Sequence, residues 1–110
     1  MNSTAKWSSY EFGVYSPDAN WNDVSGVYLF CGIGSQNQWV PLYIGQAESF
    51  RSRFSAHEEW GPASRLGATH IHALVVPQSA TRDLMERELI QSYQPRLNTL
   101  QRYRKLTHFC

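Results

Sequence analysis

Gly26-Val27-Tyr28-Leu29-Phe30-Cys31 and Trp39-Val40-Pro41-Leu42-Tyr43-Ile44, the second run closed by Gly45, are two apolar, β-rich stretches separated by Gly32-Ile33-Gly34-Ser35-Gln36-Asn37-Gln38. Glycine, serine and asparagine between two such runs predict a hairpin with a longish loop. Pro41 has no backbone donor, so its strand belongs at a sheet edge or a non-bonded position. Beyond Gly45, Ala47, Phe50 and Phe54 recur at i, i+3 and i+7, which predicts a helix over 48–59 that Gly61-Pro62 breaks. Arg53 and His57 then stand one turn apart on the flank of its buried stripe. Residues 69–76 begin in alternation and end continuously apolar, as a strand central to a small sheet would. Ser79 offers an N-cap for a helix over 80–93, with Asp83 in its first turn. Met85, Leu89 and Ser92 mark its inner side. Glu86, aligned with Ile90 and Tyr93, falls on the border of the apolar face, whereas Glu88 points outward. Pro95 ends the helix.

Working toward the termini, residues 1–23 are polar with scattered aromatics (Trp7, Tyr10, Phe12, Tyr15, Trp21), which predicts an irregular segment pinned to a 24–98 domain by its rings. Residues 99–110 form a basic tail. A 110-residue chain accommodates one core and not two. No segment approaches the roughly 20 apolar residues that a membrane span needs, and Met1-Asn2-Ser3-Thr4 opens no signal-peptide core, so an intracellular location without membrane contact is expected. Cys31 inside a strand and Cys110 at the end suit neither a zinc site nor a disulfide scaffold. The formal net charge of +1 is low for a protein that holds DNA unaided, since affinity for phosphates comes from Lys and Arg displacing counterions. The basic groups are nonetheless grouped. Arg96, Arg102, Arg104 and Lys105 form one cluster and Arg51 with Arg53 a second, and these are the candidate nucleic-acid contacts.

The two tripeptides Gly26-Val27-Tyr28 and Tyr43-Ile44-Gly45, followed by Phe50-Arg51-Ser52-Arg53-Phe54, Glu86-Arg87-Glu88-Leu89-Ile90 and Pro95-Arg96-Leu97-Asn98, resemble the GIY-YIG nuclease family in order and spacing, from about Val24 to Asn98. The set around Tyr43 and Arg53 is similar to the excision-repair nuclease subunit type. Gly13-Val14-Tyr15 is a decoy with no such partner nearby. Pattern alone predicts a small α+β domain. The resemblance implies, more specifically, a three-stranded, largely antiparallel sheet flanked by helices, and a metal-dependent endonuclease acting on DNA, one strand per active site.

The same resemblance assigns catalytic roles to Tyr28, Tyr43, Arg53, His57, Glu86 and Asn98. Glu86 would be the metal ligand, for Mg2+ with Mn2+ as a possible substitute, because hard oxygen ligands suit such ions. Arg53, and not Arg51 about 200° around the helix, would face a phosphate that gains charge in the transition state. Either Tyr28 or Tyr43 would take the water's proton. A phenol near pKa 10 is ionised to about one part in a thousand at pH 7, so the metal and Arg53 would have to lower that value. His57 could bond the leaving oxygen or a phosphate, and Asn98 would orient the site or a backbone segment. His70 and His72 alternate on one strand face, without the accompanying ligands a metal pair would need. Two positions depart from the family pattern: Gln46 stands where several members carry lysine, and Ser25 where a proline is frequent. The alternative function is a catalytically silent nucleic-acid-binding or protein-interaction module of the same fold. With so little net charge, either a second copy or a specificity-providing protein partner is expected to assist DNA binding.

Overall fold

The structure, a computed structural model, describes residues 3–99. Strands β1 (Thr4–Trp7), β2 (Tyr10–Tyr15), β3 (Gly26–Ile33), β4 (Trp39–Ala47) and β5 (Ala68–Val75) form one sheet in the order β1-β2-β5-β3-β4, every neighbouring pair antiparallel. The sheet therefore has five strands where the sequence predicted three. The two extra strands come from the N-terminal residues read as irregular: Trp7 pairs with Tyr10 across a two-residue turn in which Ser8 takes a φ of 55°.

β3 and β5 lie inside the sheet and are covered on both sides. Tyr28, Phe30, Tyr43 and Ile71 join one core cluster, with Phe50 of α1 (Phe50–Ser55) and Ala63 of α2 (Trp60–Arg65). Val27, Leu29, Cys31 and Ile44 join a second cluster, with Met85 and Leu89 of α3 (Ser79–Tyr93). Residues such as Leu29, Phe30 and Ile44, which are wholly buried, each contribute about 1.5–3 kcal/mol relative to exposure. Burial on both sides explains why β3 reads as an unbroken apolar run. β4 is the edge strand that Pro41 requires. The register slips by one residue there, Phe30 facing Tyr43 and Cys31 facing Pro41.

The helices depart from the predicted boundaries. The expected helix over 48–59 is α1 alone, capped by the Ser49 side chain accepting from the Ser52 N–H, and it ends at Ala56. Gly61 and Pro62 do not break a helix; they sit in the first turn of α2, where a proline forfeits no intrahelical hydrogen bond. Gln78, whose side chain caps no backbone N–H, occupies the N-cap position expected of Ser79, and Asp83 lies beyond the first turn. Met85 and Leu89 are buried as expected, but Ser92 is exposed. Cys31 is buried, and burial pushes its thiol pKa up. His70 and His72 do share a strand face. The Nδ1 of His72, however, accepts from Trp7 Nε1 at 2.9 Å, which withdraws that nitrogen from any metal. No helix among the described residues is long and apolar enough to cross a membrane.

Candidate active site

The glycines of both tripeptides are there because other atoms need their space. A Cβ on Gly45 would lie 2.5 Å from the Tyr28 hydroxyl oxygen and 3.0 Å from the Tyr43 ring. A Cβ on Gly26 would strike the Leu74 carbonyl and the Phe50 ring. Gly45 thus lets the Tyr28 side chain cross the neighbouring strand, and the two tyrosine rings come to 6.3 Å centroid to centroid. His57 completes the group, its ring 5.5 Å from that of Tyr28 and 5.4 Å from that of Tyr43.

His57 does not stack above Arg53 on a helix, as the predicted span required. Because α1 stops early, the chain turns and carries the imidazole inward until Nε2 is 2.6 Å from the Tyr28 hydroxyl. The Nδ1 atom accepts from the Glu59 backbone N–H at 3.0 Å. A neutral imidazole that accepts at Nδ1 carries its proton on Nε2, so His57 donates to the Tyr28 oxygen. The ring is neutral at pH 7: burial, followed by the Arg53 charge, pushes its pKa down to about 4.

Both tyrosines are acidic only with help. Tyr28 is raised well above the ordinary phenol value by burial first and then by Tyr43, against the lowering influence of Arg53; Glu86 contributes least. Tyr43 is also raised, by burial and then by Glu86, with Arg53 again opposing. Arg53 thus acts in the expected direction on both phenols, but burial outweighs it.

Arg53 itself is engaged. Its Nη1 and Nη2 donate to the two carboxylate oxygens of Glu58 at 2.9 and 2.8 Å. This hydrogen-bonded pairing holds the Glu58 carboxyl down at about 2 and raises the guanidinium further. A two-pronged carboxylate occupies a guanidinium much as a phosphate does.

Glu86, half-buried on α3, meets β4 through Gln46, whose Nε2 donates to Glu86 Oε1 at 3.0 Å and to Asp83 Oδ1 at 2.6 Å. Asn98 reaches the outer edge of β4 and pairs with it as a strand residue would: Oδ1 accepts from the Ile44 N–H and Nδ2 donates to the Ile44 carbonyl, both at 2.8 Å. It touches the residue between Tyr43 and Gly45, and so holds the second tripeptide in place. An open groove of about 450 Å³, lined by Gln46, Ala47, Glu48, Ser49, Ser52 and Arg53, joins the glutamine and arginine ends.

Tyr28, Tyr43 and His57 are therefore in direct contact, with Arg53 and Glu86 electrostatically coupled to both tyrosines. Arg51 is elsewhere: it is exposed, and its Nε donates to the Trp21 carbonyl at 3.3 Å. Arg96 is exposed at the start of a helical turn over 96–99. Arg102, Arg104 and Lys105 lie outside the described residues. Sequence reading took Gln46 only as a departure from the family pattern and gave Glu58 no place in the site. Both lie within six residues of a motif position, which is the signal that could have found them.

A hard carboxylate oxygen beside two phenols is a donor set that suits Mg2+. No three His, Cys, Asp or Glu side chains among the described residues are grouped as a metal cage. Water and a substrate phosphate would therefore have to supply most of the coordination shell.

Sheet, paired tyrosines, helical arginine and helical glutamate together define a GIY-YIG domain of the endonuclease type, and the chain belongs to that class. More particularly, it is 35% identical to the UvrABC system protein C of Chlamydia trachomatis serovar D, in a match covering 84% of this chain and 16% of that protein. It is also 35% identical to the protein of that name in Chlamydia muridarum, over 77% of this chain and 14% of that protein. The chain thus spans about a sixth of the length of these relatives. The GIY-YIG N-terminal endonuclease domain of UvrC from Thermotoga maritima, bound to its catalytic divalent cation, magnesium, superimposes with a TM-score of 0.57 at 26% identity, covering 70% of this chain and 85% of that one. A point mutant of that domain, likewise bound to its catalytic divalent cation, gives 0.58 at 26% identity. No family model matches the chain.

Proposed function

We propose that the chain hydrolyses DNA phosphodiester bonds with a divalent cation, one strand per active site. The observation that carries this is the meeting of Tyr28, Tyr43 and His57 within a few ångströms, coupled to one arginine and one glutamate. The kinship with a UvrC endonuclease domain that binds magnesium supports it. Glu86 would hold the cation, Mg2+ with Mn2+ as a substitute, which supplies positive charge for the phosphate oxygens and acidifies nearby water.

Tyr43 is the better placed proton acceptor, because after burial the Glu86 charge is what raises its pKa most. Neutralising Glu86 removes that influence, so metal loading and ionisation of Tyr43 favour one another. Tyr28, which already accepts from His57, and Arg53 face the phosphate, and Arg53 exchanges the Glu58 carboxylate for phosphate oxygens. Asn98 does no chemistry; it fixes β4 beneath the tyrosines. DNA is the substrate, and with a net charge of +1 a second copy or a partner protein would strengthen its capture.

The test incubates the chain with supercoiled and branched DNA in Mg2+ or Mn2+, beside Glu86→Ala and Arg53→Ala. Nicked circles that precede linear product, and that both substitutions abolish, are the expected result. DNA binding without cutting in either metal would overturn the enzyme reading and leave a binding module.

A further inference from the structure

Gln46 immediately follows the second tripeptide, and its carboxamide is fixed at both ends. Nε2 donates to Asp83 and Glu86, and Oε1 accepts from Arg82 Nε over a longer 3.4 Å. The amide can face only one way, since carboxylates solely accept and guanidinium solely donates. Arg82 is itself buried, its Nη1 donating to the Val76 and Pro77 carbonyls at 3.0 and 2.9 Å. The backbone leading into α3 thus fixes Arg82, Arg82 abuts Gln46, and Gln46 grips Glu86.

We propose that Gln46 is a positioning residue: it sets the direction in which the Glu86 carboxylate is presented, in a form matched to Arg82. This inference rests on Glu86 being the metal ligand. A lysine in the same place has three donors and no acceptor, so it would set an ammonium against the Arg82 guanidinium. It would also compete with a divalent cation for the charge of Glu86. The glutamine supplies the donor that Glu86 requires and the acceptor that Arg82 requires, and it leaves the carboxylate charge whole. Gln46 lines the same groove as Arg53, so the residue that holds the carboxylate and the phosphate-facing guanidinium border one channel.

Gln46→Met keeps the length of the side chain without its hydrogen bonds, and Gln46→Asn keeps the amide but withdraws it by one methylene. Mn2+ binding to the full chain is measured by calorimetry, and nicking is followed against Mg2+ concentration, with Glu86→Ala beside them. Both Gln46 variants are expected to raise the Mn2+ dissociation constant and the half-saturating Mg2+ by about 10-fold or more, with a smaller loss of rate at saturating metal. If both bind Mn2+ within twofold of the parent while Glu86→Ala does not bind, the positioning role is wrong and the metal-ligand reading stands. A lowered melting temperature with an unchanged dissociation constant would likewise overturn it, as a purely structural role. If Glu86→Ala binds and cuts like the parent, the error lies in the metal-ligand reading itself.

Discussion

One methyl group on Gly45 is enough to test the site at the scale of a residue. It would sit 2.5 Å from the Tyr28 oxygen, so the tyrosine must move while the strand can stay paired. Displacing a reacting group by about 1 Å costs on the order of 100-fold in rate. Gly45→Ala is therefore expected to lose nicking activity on that scale while its circular dichroism stays that of the parent. Glu58 calls for a different experiment. An ion pair exposed to this degree contributes at most about 1 kcal/mol, so on the proposed reading a substrate phosphate would displace it readily. Glu58→Gln should lower the KM for DNA severalfold with kcat little changed in steady-state nicking; a raised KM would mean that Glu58 aims the arginine instead of competing for it. Tyr28, Tyr43, Arg53 and Glu86 were legible as candidates because each is tied to a tripeptide or a helical phase. Gln46 and Glu58 were not, because a glutamine or a surface glutamate acquires meaning only from what stands opposite.

At the scale of elements, Asn98 closes the free edge of β4. Its removal leaves a buried N–H and carbonyl of Ile44 without their partners, at about 1–3 kcal/mol for each unsatisfied group. Asn98→Ala is expected to shift the urea midpoint downward by a corresponding amount and to slow cleavage through Tyr43, both measurable on one preparation. Strand positions were readable from apolar runs, since β3 and β5 are buried on both sides. The helix over 48–59 was misjudged for a local reason: His57 is part-buried one turn beyond Arg53, as a further helical turn would place it, whereas the backbone stops at Ser55 so that His57 can turn inward. Periodicity reports which residues are buried, and a turn that buries the next residue mimics another helical turn.

Among the described residues, each core cluster has a histidine held neutral beside it, His57 by the tyrosines and His72 against Trp7. Burial brings both down to about 4, from 6.5. Between those values the unfolded chain binds more protons than the folded one, so acidification through that window favours unfolding. Melting temperatures taken from pH 7 to pH 4 should fall steadily and then flatten with respect to these two groups. His72→Phe would remove part of the slope, though it also gives up the bond from Trp7. The N-terminal hairpin was the least legible part of the fold. Its strands are short and mixed in polarity, and their pairing with β5, some sixty residues away, leaves no local trace in sequence.

That pairing dictates an order of events. Each of the two hairpins, β1 with β2 and β3 with β4, closes over a short span, yet they do not pair with one another; β5 is inserted between them and bonds to both. During synthesis the first hairpins must wait with exposed edges until residue 75 has left the ribosome, because no earlier strand can join them. Refolding from denaturant should show hairpin signals ahead of the single step that docks β5. Chains truncated before residue 68 should yield two unconnected hairpins prone to association, and protease resistance should appear only once β5 is included.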